Sequence, residues 1–142
     1  MNVKELMLGD IVTFKESLAD NEIVPIRIVA IGYQGIGKEN EVLATIYGCT
    51  SCDLIEIDDE IVGIPITSEI LERNFVEKTF FGLYDDNYDL TIREYCDGMY
   101  VVNYHSCDMA IPDEQVVVSY VHQLQHFLRH CGIDKEIKEI TI

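Results

Sequence analysis

The residues best placed to do chemistry are histidines that recur every four positions near the C-terminus. His122 and His126 occupy the outer positions of the H-E-x-x-H zinc helix, in which one helical turn brings two imidazoles onto one metal. The general base of that motif is replaced by Gln123, and a neutral amide cannot take a proton from zinc-bound water. A metal-dependent hydrolase or zinc-binding protein using His122 and His126 is therefore one hypothesis. Its third ligand would come from Asp134, Glu136 or Glu139, or from across the fold.

The helix that carries these histidines has one apolar stripe. At roughly 100° per residue, the stripe is formed by Val117, Val121, Leu124, Leu128 and Cys131. His122, His126 and His130 fall on the opposite side, so we expect all three to face water or a partner. An exposed helix face with incidental histidines is the interpretation that this geometry favours over a metal site.

A second candidate metal site combines cysteines with one more histidine. Cys49 and Cys52 have the spacing of half a zinc knuckle or of a redox pair, and His105 with Cys107 is the compact candidate for a second pair. A redox pair normally begins a helix, which lowers the thiol pKa, whereas this one lies in a predicted turn between strands. Five cysteines without a secretory signal argue against a disulfide framework. Of the others, Cys96 and Cys131 are typical of turn and core positions.

The stretch GYQGIGKE, residues 32–39, has the glycine and lysine spacing of a phosphate-binding loop. The position that should offer a hydroxyl to magnesium is Glu39, whose carboxylate would oppose the phosphate charge. The β-branched segment after it predicts a strand, so no helix N-terminus is available for the phosphates. The sequence favours a glycine-rich hairpin loop here and no nucleotide.

Charge excludes one class of partner. The chain has 26 acidic and 10 basic side chains, a formal charge of −16, spread as 4 − 12 = −8 over residues 1–66 and 6 − 14 = −8 over residues 67–142. Since no basic stripe exists to neutralise phosphates, we expect no direct binding to nucleic acid. An acidic decoy that mimics DNA remains an alternative function.

Length and hydropathy place the chain among globular proteins. Its 142 residues form one ordinary domain or two small ones, and no apolar run approaches the ~20 residues that a membrane helix needs. The first ten residues lack the features of a secretory signal. We therefore expect a cytoplasmic protein without membrane contact.

The predicted fold class is α+β. In residues 1–66, five short β-rich segments separated by turn residues predict a small SH3-like β-barrel, which would remove most exposed edges. The segments are 10–14, 22–32, 41–48, 53–58 and 60–66.

Residues 67–142 predict a short helix, an antiparallel β-meander and a C-terminal helix. The first helix spans 67–75 with a Thr or Ser cap, and the strands are KTFFGLY, YDLTIREY and MYVVNYHS. The last helix begins as late as Ser119, because three consecutive valines favour a strand, and Gly132 ends it. The tail after it is a candidate for one more strand. The two halves are separate domains or one compact unit.

Three segments carry a resemblance that spans most of the chain: LMLGDIV near the start, IPITSEILERNF in the middle and YVHQLQHFLRHCGI near the end. In this order they resemble a family of uncharacterised proteins of prophages and other mobile elements in gut Bacteroidales. Some relatives are similar to this chain but carry Glu at the position of Gln123 and Asn at that of His126. The resemblance implies a phage or mobile-element origin and supplies no catalytic residue.

These observations together predict a non-enzymatic accessory protein that acts through protein–protein contacts. We expect no cofactor and no catalytic residue, and a protein partner that the sequence does not identify. A small barrel offers aromatic or loop surfaces to peptides, and five aromatic residues are candidates for such contacts. They are Tyr33, Tyr47, Phe80, Phe81 and Tyr84.

Overall fold

The computed structural model describes residues 6–20, 22–31, 41–46, 52–56, 61–79, 82–85, 90–105, 113–138 and 140. The chain divides into two compact units, Met1–Ile64 with Ile140–Ile142, and Pro65–Glu139. Each unit is built on one antiparallel sheet of five strands. None of the helices in the described ranges has the length and apolar content to span a bilayer. The α+β class is confirmed.

The first unit contains a strand in each of the five predicted segments. The strands are β1 Ile11–Phe14, β2 Ile26–Ile31, β3 Glu41–Ile46, β4 Cys52–Glu56 and β5 Ile61–Gly63. They lie in the order β4-β3-β2-β1-β5, so β5 returns to pair with β1. Within the described residues the sheet has β4 and β5 as its edges and does not close into a barrel.

Strand β1, between β2 and β5, is deeply buried. Three consecutive residues, Ile11, Val12 and Thr13, are each 0% exposed. Because side chains alternate between the two faces of a strand, both faces of β1 must be covered. The buried hydroxyl of Thr13 donates a hydrogen bond to the Val24 carbonyl at 2.9 Å, which satisfies it without water. A strand this enclosed fixes the positions of the segments on either side of it.

A tight turn leads into β1 and fastens it to β2. The Gly9 amide, at φ 86°, donates to the Ile28 carbonyl at 2.8 Å, and the Ile28 amide donates to the Asp10 carbonyl at 2.9 Å. The Asp10 carboxylate accepts from the Met7 amide at 2.8 Å. After β1 the chain forms a short helix, α1 Lys15–Ala19, which the sequence analysis did not predict.

The second unit begins with the predicted short helix, α2 Ser68–Asn74. The Thr67 hydroxyl accepts from the Ile70 amide at 3.3 Å, which confirms the predicted cap. At the other end the Asn74 side chain donates to the Lys138 carbonyl at 2.8 Å and accepts from the Lys138 amide at 2.7 Å. This pair of hydrogen bonds holds the tail after the last helix against α2.

The second sheet has five strands, whereas a meander of three was predicted. Its strands are β6 Val76–Thr79, β7 Gly82–Asp85, β8 Leu90–Cys96, β9 Met99–Tyr104 and β10 Glu114–Val118, in the order β10-β9-β8-β7-β6. The prediction of KTFFGLY as one strand is wrong, because Thr79 pairs with Gly82 and the chain reverses between them. The three valines belong to β10, as their β-branching favoured.

The last helix, α3, spans Val121–His130. Gly132 ends it at φ 73°, with its amide donating to the Arg129 carbonyl at 3.0 Å and the Ile133 amide donating to the Leu128 carbonyl at 2.8 Å. This is the left-handed cap that glycine favours, and it confirms the predicted helix end. The described tail residues, 133–138, form no strand.

Replacing Gly132 by alanine tests this cap. No atom lies within 4 Å of an added Cβ, so the cost comes from the left-handed backbone alone. We expect a loss of about 1–2 kcal/mol in the free energy of unfolding, measured by urea denaturation. Gly132→Asn is the control, since asparagine tolerates this conformation better. Equal losses for the two variants would contradict the assignment to backbone strain.

Candidate functional site

The histidines of α3 differ in exposure. His122 is only 3% exposed, His126 is half-buried, and the side chain of His130 is 65% exposed. The expectation that all three face water or a partner is wrong for His122, which is buried within the chain. The ring of Tyr120 stacks on it, with centroids 5.8 Å apart and planes at 18°. Tyr120 therefore covers part of the helix surface that was predicted to be exposed because it lies opposite the apolar stripe.

His122 and His126 do approach each other. Their ring centroids are 5.7 Å apart with planes at 77°, the edge-to-face geometry that aromatic rings adopt in packing contacts. The Nδ1 atom of His122 is sealed from solvent. The described residues contain no group of three or more His, Cys, Asp or Glu side chains that could hold a metal ion. Of the predicted third ligands, Asp134 and Glu136 are exposed and Glu139 lies outside the described residues.

Gln123 has a structural role at the start of α3. Its side-chain oxygen accepts from the Ser119 amide at 2.8 Å and from the Tyr120 amide at 3.1 Å. The side chain thus reaches back over the helix N-terminus, as the Gln or Glu of a capping box does. A glutamate at this position would make the same contacts. Gln123, which occupies the position of the catalytic base in the H-E-x-x-H motif, therefore caps the helix.

Substitutions of Gln123 test whether its side chain caps the helix. We expect Gln123→Ala to lower the free energy of unfolding by about 0.5–2 kcal/mol, because two backbone amides lose their acceptor. Gln123→Glu should keep most of the stability, since a carboxylate also accepts and interacts favourably with the helix N-terminus. Urea denaturation followed by circular dichroism measures both. A full loss in Gln123→Glu would contradict the cap.

The cysteine and glycine candidates fall largely outside the described part of the chain. Cys49 and Cys107 lie outside it, and of Cys52 only the backbone, in β4, is described. His105 is paired through Nδ1 with Asp113 Oδ1 at 2.6 Å, and both side chains are exposed. The GYQGIGKE loop also lies outside the described residues, but the segment that follows it is strand β3. The prediction of a strand in place of a phosphate-binding helix is confirmed.

Two thiols of the second unit are described. Cys96 is exposed, whereas Cys131 is half-buried after the end of α3. Partial burial raises the pKa of the Cys131 thiol, and the charge of Glu114 raises it further. Since the thiolate is the reactive form, both access and pKa disfavour reaction at Cys131.

Alkylation should therefore distinguish the two thiols. With iodoacetamide at pH 8, we expect Cys96 to react faster than Cys131 by about tenfold or more. Peptide mapping by mass spectrometry follows each site as a function of time. Raising the pH should increase the rate at Cys131 as its thiolate forms. Equal rates at pH 8 would contradict the burial of Cys131.

Two of the four exposed large apolar residues among the described part of the second unit flank the β8–β9 turn, and the other two are Val117 and Tyr120. Tyr95 is 68% exposed and Met99 is 37% exposed, and Glu94, Cys96 and Asp97 are exposed beside them. We call these five residues the hairpin surface. Gly98 makes the turn at φ 76°, as the Asp-Gly sequence favours. The sulfur atoms of Cys96 and Met99 lie 3.3 Å apart.

Strand register extends the apolar character of the hairpin surface. Met99 and Val101 lie on the same face of β9 because they are two residues apart. Val101 pairs with Val117 of β10 and with Arg93 of β8. Val101 is buried, while Val117 is 44% exposed. Met99 and Val117 are thus two exposed apolar residues on one face of the sheet, with the buried Val101 between them.

Two carboxylates of the hairpin surface act on the hydroxyl of Tyr100. Burial raises the pKa of the Tyr100 hydroxyl, and the charges of Glu94 and Asp97 raise it further. These two carboxylates lie on either side of Tyr95 in the chain, and the one exposed cation nearby on β8 is Arg93 among the described residues. The hairpin surface therefore contains the aromatic ring of Tyr95, the apolar side chain of Met99 and the carboxylates of Glu94 and Asp97.

The aromatic residues chosen from the sequence are not those of this surface. Tyr33, Tyr47, Phe80 and Phe81 lie outside the described residues, and the side chain of Tyr84 does also. Tyr95 and Met99 were missed. The signal that identifies them is the Asp97-Gly98 turn, because apolar residues flanking a tight turn extend beyond the sheet that would bury them.

Comparison with known proteins yields no relative. No family model matches the chain, no curated protein matches it, and no solved structure matches it.

Proposed function

We propose that this chain is a non-enzymatic accessory protein of a phage or mobile element and that it acts through protein–protein contact at the hairpin surface. The exposure of Tyr95 is the observation that carries the proposal. Tyr95 as a residue is 68% exposed, so much of its side chain is open to a partner. Tyr is enriched among residues that dominate binding energy, because it offers a large rigid contact at low entropic cost.

Two more residues of the second sheet expose apolar area. Met99 and Val117 are exposed to 37% and 44%, and register places the face of Val101 between them. Methionine adapts its shape to a partner. The antiparallel ladder of β8 and β9 supports the hairpin, and its register shifts between Glu94 and Cys96, which leaves Tyr95 with no residue opposite it on β9. The resemblance to prophage proteins supplies the accessory role.

For the first unit we propose a scaffold of SH3-like type. The return of β5 to β1 gives the strand order of such barrels, and burial of β1 on both faces suits a sheet that curls around it. The first unit also exposes apolar residues beside its entry turn, Met7, Leu8 and Val29. They are available as a second contact region.

Site-specific crosslinking tests the proposed function. A photoreactive phenylalanine analogue replaces Tyr95 in one variant and the exposed Thr91 of the same strand in a matched control. Both variants are expressed in the native host, irradiated, and their adducts identified by mass spectrometry. We expect one predominant adduct from position 95 and little from position 91.

Binding of the identified partner is then measured with purified proteins. We expect Tyr95→Ala to weaken that binding by about tenfold or more, as truncation of an interface hot spot does. Unchanged affinity in this variant, or identical adducts from positions 91 and 95, would contradict contact through the hairpin surface.

A further inference from the structure

We infer that the tail after α3, residues 133–138 and 140, is a strap that couples the stability of the two units, with Asn74 of α2 as its clamp. The two ends of the strap belong to different units, since Lys138 lies in the second and Ile140 in the first. Release of the strap at Asn74 therefore loosens the first unit as well as the second.

The strap is held largely by side chains. Ile133, Ile137 and Ile140 are 4%, 0% and 3% exposed, although the strap forms neither helix nor strand. The ammonium of Lys135 lies over the ring of Phe75, 5.1 Å from its centroid, and Phe75 follows directly after α2. A segment without a strand ladder needs such contacts to keep one position.

The side chain of Asn74 contacts both backbone groups of Lys138. Its nitrogen donates to the Lys138 carbonyl at 2.8 Å, and its oxygen accepts from the Lys138 amide at 2.7 Å. The same nitrogen donates to the Ile70 carbonyl at 2.8 Å, which ties the side chain to α2. Aspartate has the same size but, when ionised, no hydrogen to donate, so it cannot make these three contacts. The clamp therefore depends on an amide at this position.

The clamp is close to the first unit along the chain. One residue separates Lys138 from Ile140, and two residues of extended chain span at most about 7 Å. Holding Lys138 therefore keeps Ile140 near its buried position, and holding Ile140 keeps Lys138 near Asn74. A short tether gives each attachment a high effective concentration, which is lost when the other is released. Because such linkage is reciprocal, each attachment stabilises the other.

Hydrogen exchange of the full chain, followed by nuclear magnetic resonance, tests the strap. In Asn74→Ala we expect the Lys138 amide to exchange about tenfold faster, because its acceptor is lost. In the first unit, the amides of Gly9 and Ile28 donate the hydrogen bonds that join the entry turn to β2. We expect these two first-unit amides to exchange about threefold faster in the same variant, since the tail must close a longer flexible loop. Asn74→Asp should behave like Asn74→Ala.

The reverse direction is tested with Ile140→Ala. Truncation in the first unit should speed exchange of the Lys138 amide about threefold, although the clamp itself is unaltered. The matched control is Gln123→Ala, which removes a helix cap from the same unit as Asn74 and leaves every residue of the strap in place. This control should leave the exchange of the two first-unit amides unchanged.

Three results would overturn the coupling. In the first, Asn74→Ala speeds exchange at Lys138 and leaves the first-unit amides unchanged, so the clamp acts within the second unit alone. In the second, Gln123→Ala speeds the first-unit amides as much as Asn74→Ala does, so loosening of the second unit and not the strap is the cause. In the third, Ile140→Ala leaves the Lys138 amide unchanged. This last variant decides the matter by itself if Asn74→Ala does not fold.

Discussion

Replacing Leu124 by alanine is expected to lower the free energy of unfolding of the second unit by about 2–5 kcal/mol. Leu124 is 0% exposed, and Val121 and Leu128, one turn away on either side, are 0% and 1% exposed. Truncation removes most of an apolar side chain from a site whose neighbours are already buried. The cost then includes a cavity as well as the lost transfer free energy.

Urea denaturation followed by far-ultraviolet circular dichroism measures the loss, and hydrogen exchange by mass spectrometry assigns it to the second unit. Val117→Ala is the matched control, because that side chain is 44% exposed and should cost less than about 1 kcal/mol. If the two variants lost the same stability, Leu124 would not be a core residue of α3. Faster exchange confined to the first unit would also contradict the assignment.

The helix illustrates what a periodic pattern reveals and what it omits. The pattern identified Val121, Leu124 and Leu128 as buried, and they are, whereas Val117 of the same predicted stripe belongs to β10 and is exposed. Cys131 is half-buried. At 100° per residue, however, the buried positions of α3 span about 220° of its circumference, wider than a single stripe. His122 lies within that arc because Tyr120, outside the helix, covers it. Such coverage depends on tertiary packing, so the spacing of the histidines alone did not reveal it.

Local signals predicted the ends of the helices well. The Thr67 cap and the Gly132 stop each satisfy backbone groups within a few residues, so their effect is visible in the sequence. The reversal between Thr79 and Gly82 was missed because Gly82 is the sole residue of turn type there and apolar residues precede it. Short helix α1 was missed because five residues show less than two turns of periodicity.

The candidate site could be predicted less fully than the fold. Gln123 was compared with a catalytic base because a motif fixes residue types, whereas its capping role depends on where the helix begins. Tyr95 was not selected because the alternation of side chains along β8 does not show which face of the strand is buried by the rest of the unit. The exposure of Tyr95 became clear only once β7 and β9 were placed beside β8.

The second large effect is expected at Asp10 in the first unit. Asp10 is 0% exposed, and its carboxylate accepts from the Met7 amide at 2.8 Å. Its backbone carbonyl accepts from the Ile28 amide at 2.9 Å, which joins the entry turn to β2. In Asp10→Ala the Met7 amide loses a charged acceptor. We expect a loss of about 1.5–3 kcal/mol in the free energy of unfolding of this unit.

Asp10→Asn is the variant that identifies the cause. It keeps a carbonyl oxygen for the Met7 amide but removes the charge, so it should lose less stability than Asp10→Ala. Residue-level hydrogen exchange by nuclear magnetic resonance should show the Met7 amide exchanging faster in Asp10→Ala than in Asp10→Asn, with the amides of the second unit unchanged. Equal losses in both variants would assign the stabilisation to the charge of Asp10 and not to the hydrogen bond that closes the turn. The turn presents the exposed Met7 and Leu8, so its rigidity also determines how well the first unit can offer them to a partner.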